Sequence, residues 1–245
     1  MIDTPSSPLI DRLRQACAAE WAAFTRHPFV LGIGSGSLPA AAFRHYLVQD
    51  YLFLVHFARA YGLAAFKGET LADIRAAAAG LSAIIDREMR LHVAYCTGWG
   101  LDEAAMATVP EADATIAYTR FVLERGLAGD LLDLQTALAP CIIGYADVGR
   151  MLAADPEARF DGNPYRTWIE TYAADDFQQV AADHARQMEA VATRRGGRPA
   201  LRGAAPALRA GNPAGRGIPG DGLTSPGGRS SAGLRATWHR LNAQA

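Results

Sequence analysis

Apolar residues along this chain recur three and four apart in long runs, and no useful stretch before Thr193 alternates with period two. That pattern belongs to helices that bury one side, not to strands. Ser7-Pro8 reads as the cap and first turn of an opening helix with Leu9, Leu13, Cys17, Glu20, Trp21 and Phe24 at helical spacing. His27-Pro28 ends it, because the residue before a proline is pushed out of the α region. Residues 32–39, GIGSGSLP, read as a glycine-rich turn into a second helix capped by Ser37. They are not a phosphate loop, since no strand precedes them and no Gly-Lys-Ser/Thr closes them.

The second helix runs from about Pro39 to Lys67, with a buried stripe of Phe43, Tyr46, Leu47, Asp50, Phe53, Leu54, Phe57 and Tyr61. Asp50 is the anomaly. An acid among aromatic side chains is costly unless paired or hydrogen-bonded. It is either a site residue or the mark of a helix rotated to leave it in water. Leu71 to Thr97 is helical, with Ile74, Leu81, Ile84, Ile85, Met89 and Val93 on one broad apolar side. Glu88 and His92, four apart, read as an internal ion or hydrogen-bond pair. Gly98 and Gly100 break that helix, residues 102–107 make a short turn, and Ala112 to Leu127 is helical with Tyr118 and Phe121.

Leu131 to Ala154 also reads as a helix, yet Pro140, Cys141, Gly144 and Tyr145 lie in its middle. A proline there leaves a carbonyl without its amide and bends the rod. The bend can present the thiol of Cys141 beside the phenol of Tyr145, or it can simply kink a core helix holding a small buried cysteine. Asn163-Pro164 starts a last helical stretch with Trp168, Ile169, Tyr172 and Phe177 on its apolar side, and Asp175-Asp176 caps a fresh segment after a break near Ala173. Short connections and broad apolar stripes predict an all-α bundle of antiparallel helices over residues 5–193.

Composition narrows the classes. The 245 residues carry a formal net charge of −1, which argues against a nucleic-acid partner. No uninterrupted apolar run reaches about 18 residues, so no membrane span is expected. The start lacks the segments of a secretory signal. Cys17, Cys96 and Cys141 fit neither a disulfide framework nor a zinc spacing, which points to a reducing, cytoplasmic setting. From Arg194 the chain changes character. Residues 196–233 hold 11 of the 24 glycines and 5 of the 13 prolines, and Asp221 is the only acid after Arg194. Residues 194–245 therefore read as a Gly/Pro/Arg-rich tail unable to bury a core.

The blocks HPFVLGIGSGSLPAAAFRHYLVQDYLF (27–53), FARAYGLAA (57–65), AYTRFVL (117–123), LAPCIIGYADVG (138–149) and PYRTWIETYAADDF (164–177) resemble the TenA / thiaminase II family, in its cysteine-bearing branch. The resemblance implies a haem-oxygenase-like all-α fold without haem, a homotetramer, and no metal or organic cofactor. It implies hydrolysis of 4-amino-5-aminomethyl-2-methylpyrimidine to the 5-hydroxymethyl compound and ammonia, and cleavage of thiamine to the same pyrimidine and the thiazole. By the same resemblance Cys141 is the nucleophile that adds to the pyrimidine ring. Asp50 bonds the ring's amino group and adjacent nitrogen, Tyr145 is a hydrogen-bond partner near the nucleophile, and Tyr118 and Tyr172 are walls of the ring site. Phe53 stands where many members have tyrosine, so it packs on the ring but offers no hydroxyl.

The family ends in a helix bearing Thr-Arg-Leu-Glu, whose glutamate is the general acid/base, and this sequence has no equivalent. The codons of Asn212 to Gly215, read one base later, can spell Thr-Arg-Leu-Glu, and those of Gly217 to Gly222 can spell Glu-Phe-Leu-Glu-Met-Gly. A frameshift after about Ala192 is one reading of the tail; a natural disordered tail is the other. Without that glutamate the chain reads either as the enzyme or as an inactive pyrimidine-binding, scaffold or regulatory member. A cofactor-biosynthesis oxidase of the same fold is disfavoured by the intact Cys141 block and Asp50. The absence of a basic recognition helix disfavours direct DNA binding.

Overall fold

The computed structural model describes residues 6–155 and 160–196, so the tail read over 194–245 falls outside them after Gly196, and Arg194 itself is the last residue of a helix. Every regular element among the described residues is helical.

Helix α1 (Pro8–Ala16) starts as expected, with the Ser7 hydroxyl accepting the Ile10 amide at 3.3 Å. It breaks at Cys17, where φ of −126° leaves helical geometry, and continues as α2 (Ala18–Thr25). The next segment corrects the sequence reading. His27-Pro28 separates two helices rather than entering a turn: the His27 ring accepts the Phe29 amide at 3.1 Å and caps α3 (Pro28–Ser35). Gly32 to Ser35 are thus helical, and the stop is Gly36, whose φ of +72° suits a residue without Cβ. Ser37 does not cap α4 (Ala40–Lys67). Pro39 holds that position, and the Ser37 hydroxyl bonds that of Ser35 at 2.8 Å.

Helix α4 is the central rod, packed on by α5 (Leu71–Ala83), α6 (Met89–Thr97), α8 (Asp113–Ala128) and α9 (Leu131–Ala139). Its stripe from Phe43 to Phe57 is buried, while Tyr61 is half-buried. Of the apolar side foreseen for 71–97, Ile84 is buried and Met89 and Val93 pack partly buried against the core, whereas Ile74 and Ile85 are exposed. Helix α5 approaches α4 through small residues instead. Ala77 is buried, and a Cβ on Gly80 would lie 2.1 Å from the Tyr61 ring. A π turn, Ile84–Glu88, joins α5 to α6 and rotates the residues after it relative to an unbroken helix. The short α7 (Glu103–Ala107) leads into α8.

Residues 131–154 are one helical rod whose middle, Pro140–Gly144, is a second π turn between α9 and α10 (Tyr145–Ala154). Every residue from 134 to 146 is buried. By length and composition this one rod could cross a bilayer, but most of its apolar stretch is sealed inside the bundle. Helix α11 (Arg166–Ala173) follows Asn163, whose side chain accepts the Tyr165 amide and donates to the carbonyls of Ile33 and Gly34. After the expected break at Ala174, α12 (Asp175–Arg194) closes the bundle. Its Glu189 accepts the Leu9 amide at 2.7 Å, and its Arg194 pairs with Asp73 at 2.7 Å, tying the last helix to α1 and α5.

Candidate active site

Pro140 brings no amide to its helix, and two carbonyls just before it are taken by side chains from other elements. The Tyr118 hydroxyl of α8 donates to Ala137 O at 2.8 Å, and the ring of His184 on α12 reaches Gln135 O at 3.4 Å. This arrangement holds the π turn that carries Cys141, itself 1% exposed. The Cys141 Sγ lies 3.0 Å from Tyr118 Oη. A phenol has one proton, so while Tyr118 donates to Ala137 the thiol donates to Tyr118; as a thiolate, Cys141 would take the phenolic proton instead. Burial pushes the thiol well above its usual range, the Tyr118 bond pulls back, and the charges of Asp50 and Glu88 push it up again. The resting group is therefore a thiol.

Asp50 is fully buried, so the rotated-helix alternative does not hold. Its Oδ2 meets the Nε2 of His92 across the α4–α6 contact. His92 Nδ1 lies 2.8 Å from the backbone carbonyl of Glu88, which makes Nδ1 the donor there. The Glu88–His92 pairing read from the sequence thus exists through the main chain, not through the carboxylate. Burial raises the Asp50 pKa and His92 lowers it in part; burial depresses the imidazole, and the charge and hydrogen bond of Asp50, joined by the carbonyl bond and charge of Glu88, more than reverse that. The other carboxylate oxygen, Oδ1, is buried with no hydrogen-bond partner among the described residues. Glu88 lies deep among packed atoms yet keeps part of its surface open, and burial pushes its carboxyl up to about 7.

The aromatic residues form a wall around these groups. Tyr46, Trp168 and Tyr172 are bonded together, with Trp168 Nε1 donating to Tyr46 Oη at 2.7 Å, and Tyr145 also bonds Tyr46. The rings of Tyr145 and Tyr172 are 5.0 Å apart. Such close approach of α10 and α11 depends on Gly149, where a Cβ would stand 2.4 Å from the Tyr172 carbonyl carbon. Phe53 stacks on Tyr118 at 5.8 Å and 21°, with Phe57 behind it at 5.2 Å.

All six residues singled out from the sequence are buried. The charges of Asp50 and Cys141 bear on Tyr145 and Tyr172, and that of Cys141 on Tyr118. Phe53 joins the group by its stacking on Tyr118. Tyr118, foreseen as a ring wall, bonds the thiol. Three contributors were missed. His92 was visible only as a neighbour of Glu88; its bond to Asp50 spans 42 positions and leaves no local signal. Glu88 looked like half of an internal structural pair, and Tyr46 like an ordinary core aromatic. Among the described residues no three His, Cys, Asp or Glu side chains converge as a metal site.

The class of protein is a helical bundle with a buried cysteine on a π turn and a buried acid among aromatic side chains. The chain belongs to the TENA/THI-4/PQQC family, whose sequence pattern it matches over residues 14–195. It is similar to an uncharacterized protein of Haemophilus influenzae, 41% identical over 175 residues, 71% of this chain and 80% of that one. It is also similar to an aminopyrimidine aminohydrolase of Halalkalibacterium halodurans, 38% identical over 161 residues, 66% of this chain and 71% of the relative. The fold superposes on a crystal structure described as a TenA family transcription regulator, from Silicibacter sp. TM1040, with a TM-score of 0.80 and 32% identity over the full length of both. The family to which the chain belongs includes aminopyrimidine aminohydrolases among its relatives.

Proposed function

We propose that the protein hydrolyses 4-amino-5-aminomethyl-2-methylpyrimidine to the 5-hydroxymethyl compound and ammonia, and cleaves thiamine by the same attack. The observation that carries this is the buried Cys141–Tyr118 pair together with a buried Asp50 whose Oδ1 has no hydrogen-bond partner among the described residues. Cys141 adds through sulfur to a ring carbon, its proton passing to a ring nitrogen, while Asp50 orients the ring. The nitrogen lone pair of the resulting enamine expels the amine of the 5-aminomethyl arm, which leaves as ammonia once protonated. Water adds at the vacated carbon, and elimination of the thiol restores the ring.

The proton for the amine and the base for the water fall in this reading to Glu88. Among the described residues it is the carboxyl, besides Asp50, whose charge raises the thiol pKa. Neutral, it gives a proton; ionised, it takes one from water. A homotetramer in a cytoplasmic setting is proposed with this function.

Incubating the 245-residue chain with the aminomethyl pyrimidine or thiamine, and identifying products by mass spectrometry, tests the reading. The hydroxymethyl pyrimidine is expected from both. Binding without product would favour an inactive pyrimidine-binding protein, the function suited to a thiol held neutral by burial.

A further inference from the structure

Of the buried polar contacts, the one between His92 and Asp50 has the clearest consequence for what can bind. His92 Nδ1 faces the Glu88 carbonyl, which can only accept, so Nδ1 carries a proton in every state of the ring. The Nε2 contact to Asp50 Oδ2 also needs one proton, and at neutral pH, where the couple holds a single shared proton, only two arrangements supply it. Either imidazolium donates to a carboxylate, or a carboxylic acid protonated on Oδ2 donates to neutral imidazole. In both, the proton sits between Nε2 and Oδ2, and Oδ1 carries none. That oxygen is also the one left buried without a hydrogen-bond partner among the described residues.

We propose that His92 is a specificity-determining positioning residue: by holding the shared proton on Oδ2 it makes Asp50 Oδ1 an obligate acceptor. The ligand atom facing Oδ1 must then be a donor, which a ring amino group is and a ring carbonyl oxygen is not. This rests on the aminopyrimidine reading and adds why an amino-bearing ring is chosen over its oxo counterpart. The groups facing the couple are Glu88 on the π turn, Cys96 on α6, Tyr46 on α4, and Cys141, Tyr145 and Tyr172 across the site. At neutral pH burial keeps the thiols and phenols among them protonated. Only Glu88 titrates near 7, and its ionisation leaves the Nε2–Oδ2 proton in place in either arrangement.

Two substitutions separate this role from simple support. His92→Gln puts an amide nitrogen where Nε2 stands, keeping a donor on Oδ2 and dropping the Glu88 contact. His92→Asn puts its amide where Nδ1 stands, keeping Glu88 and leaving Oδ2 bare, so that Asp50 can turn a proton toward the ligand. The measurement is the Kd of the full chain for 4-amino-5-hydroxymethyl-2-methylpyrimidine and for its 4-oxo analogue, at neutral pH. The wild type is expected to favour the amino ring by at least about a hundredfold, as befits a buried acceptor left facing another acceptor. His92→Gln should keep that ratio even if both affinities fall, and His92→Asn should lower it about tenfold or more. A ratio unchanged in His92→Asn, or lost equally in both variants, overturns the inference while leaving the aminopyrimidine reading intact. Failure of the wild type to bind either ring overturns both.

Discussion

At the scale of single residues, the chemistry depends on burial changing what ordinary side chains do. A thiol in water is a few per cent ionised near neutral pH; Cys141 is far less so at rest, and its bond to Tyr118 is what a forming thiolate would use. Glu88 shows the complementary effect. Its carboxyl is pushed up to about 7, so its neutral form dominates below that pH and its charged form above. In the proposed cycle the neutral form starts the reaction, so turnover should hold below about pH 7 and fall as pH rises through it. Glu88→Gln should remove that limb from the pH–rate profile and lower the plateau by roughly 10²–10⁴-fold. Asp50 and Cys141 stood out in the sequence, as an acid in an aromatic stripe and a cysteine after a mid-helix proline with Tyr145 one turn on; Tyr118, Tyr172 and Phe53 were singled out only by the family resemblance. The role of His92 was not legible, since a contact between two helices has no signature along either one.

At the scale of elements, helix existence and most ends were readable from proline, glycine and capping residues. The π turns were not. A turn wider by one residue leaves apolar spacing nearly unchanged while rotating everything after it, and both π turns lie next to site residues. The one at Pro140 is held from below by His184, which is buried and has its pKa depressed to about 4 by burial. The unfolded chain takes up that proton near the ordinary pH of about 6.5. Stability from neutral His184 is therefore complete above about 6.5 and lost as pH falls toward 4, at up to about 1.4 kcal/mol per pH unit. Urea unfolding at pH 7.5 and 5 should show this loss in the wild type. His184→Leu should show less of it, from a starting stability lowered by roughly 1–3 kcal/mol as Gln135 O loses its donor. Gly149 offers a second test. Its missing Cβ lets the Tyr172 backbone approach, so Gly149→Ala should separate α10 from α11 and cost roughly 1–3 kcal/mol in denaturant melts, with weaker ligand binding.

At the scale of the molecule, the all-α bundle was predictable from periodicity alone, whereas the partner surfaces were not. Phe66 is 85% exposed beside exposed Leu71, where α4 turns into α5, and Lys67 Nζ bonds Gly129 O just after exposed Leu127. Apolar side chains left in water at one end of a bundle are what an oligomer covers. If the proposed homotetramer uses this end, Phe66→Asp should lower the solution mass by light scattering while leaving the helical circular-dichroism signal unchanged. The central claim, that this fold hydrolyses an aminopyrimidine through Cys141, is tested most directly by ammonia release. The full 245-residue chain would be compared with Cys141→Ala on 4-amino-5-aminomethyl-2-methylpyrimidine. Steady release by the wild type that vanishes in Cys141→Ala, with the variant still binding the hydroxymethyl compound, is the expected result. Equal rates in the two proteins, or no release from a wild type that binds the substrate, would contradict it.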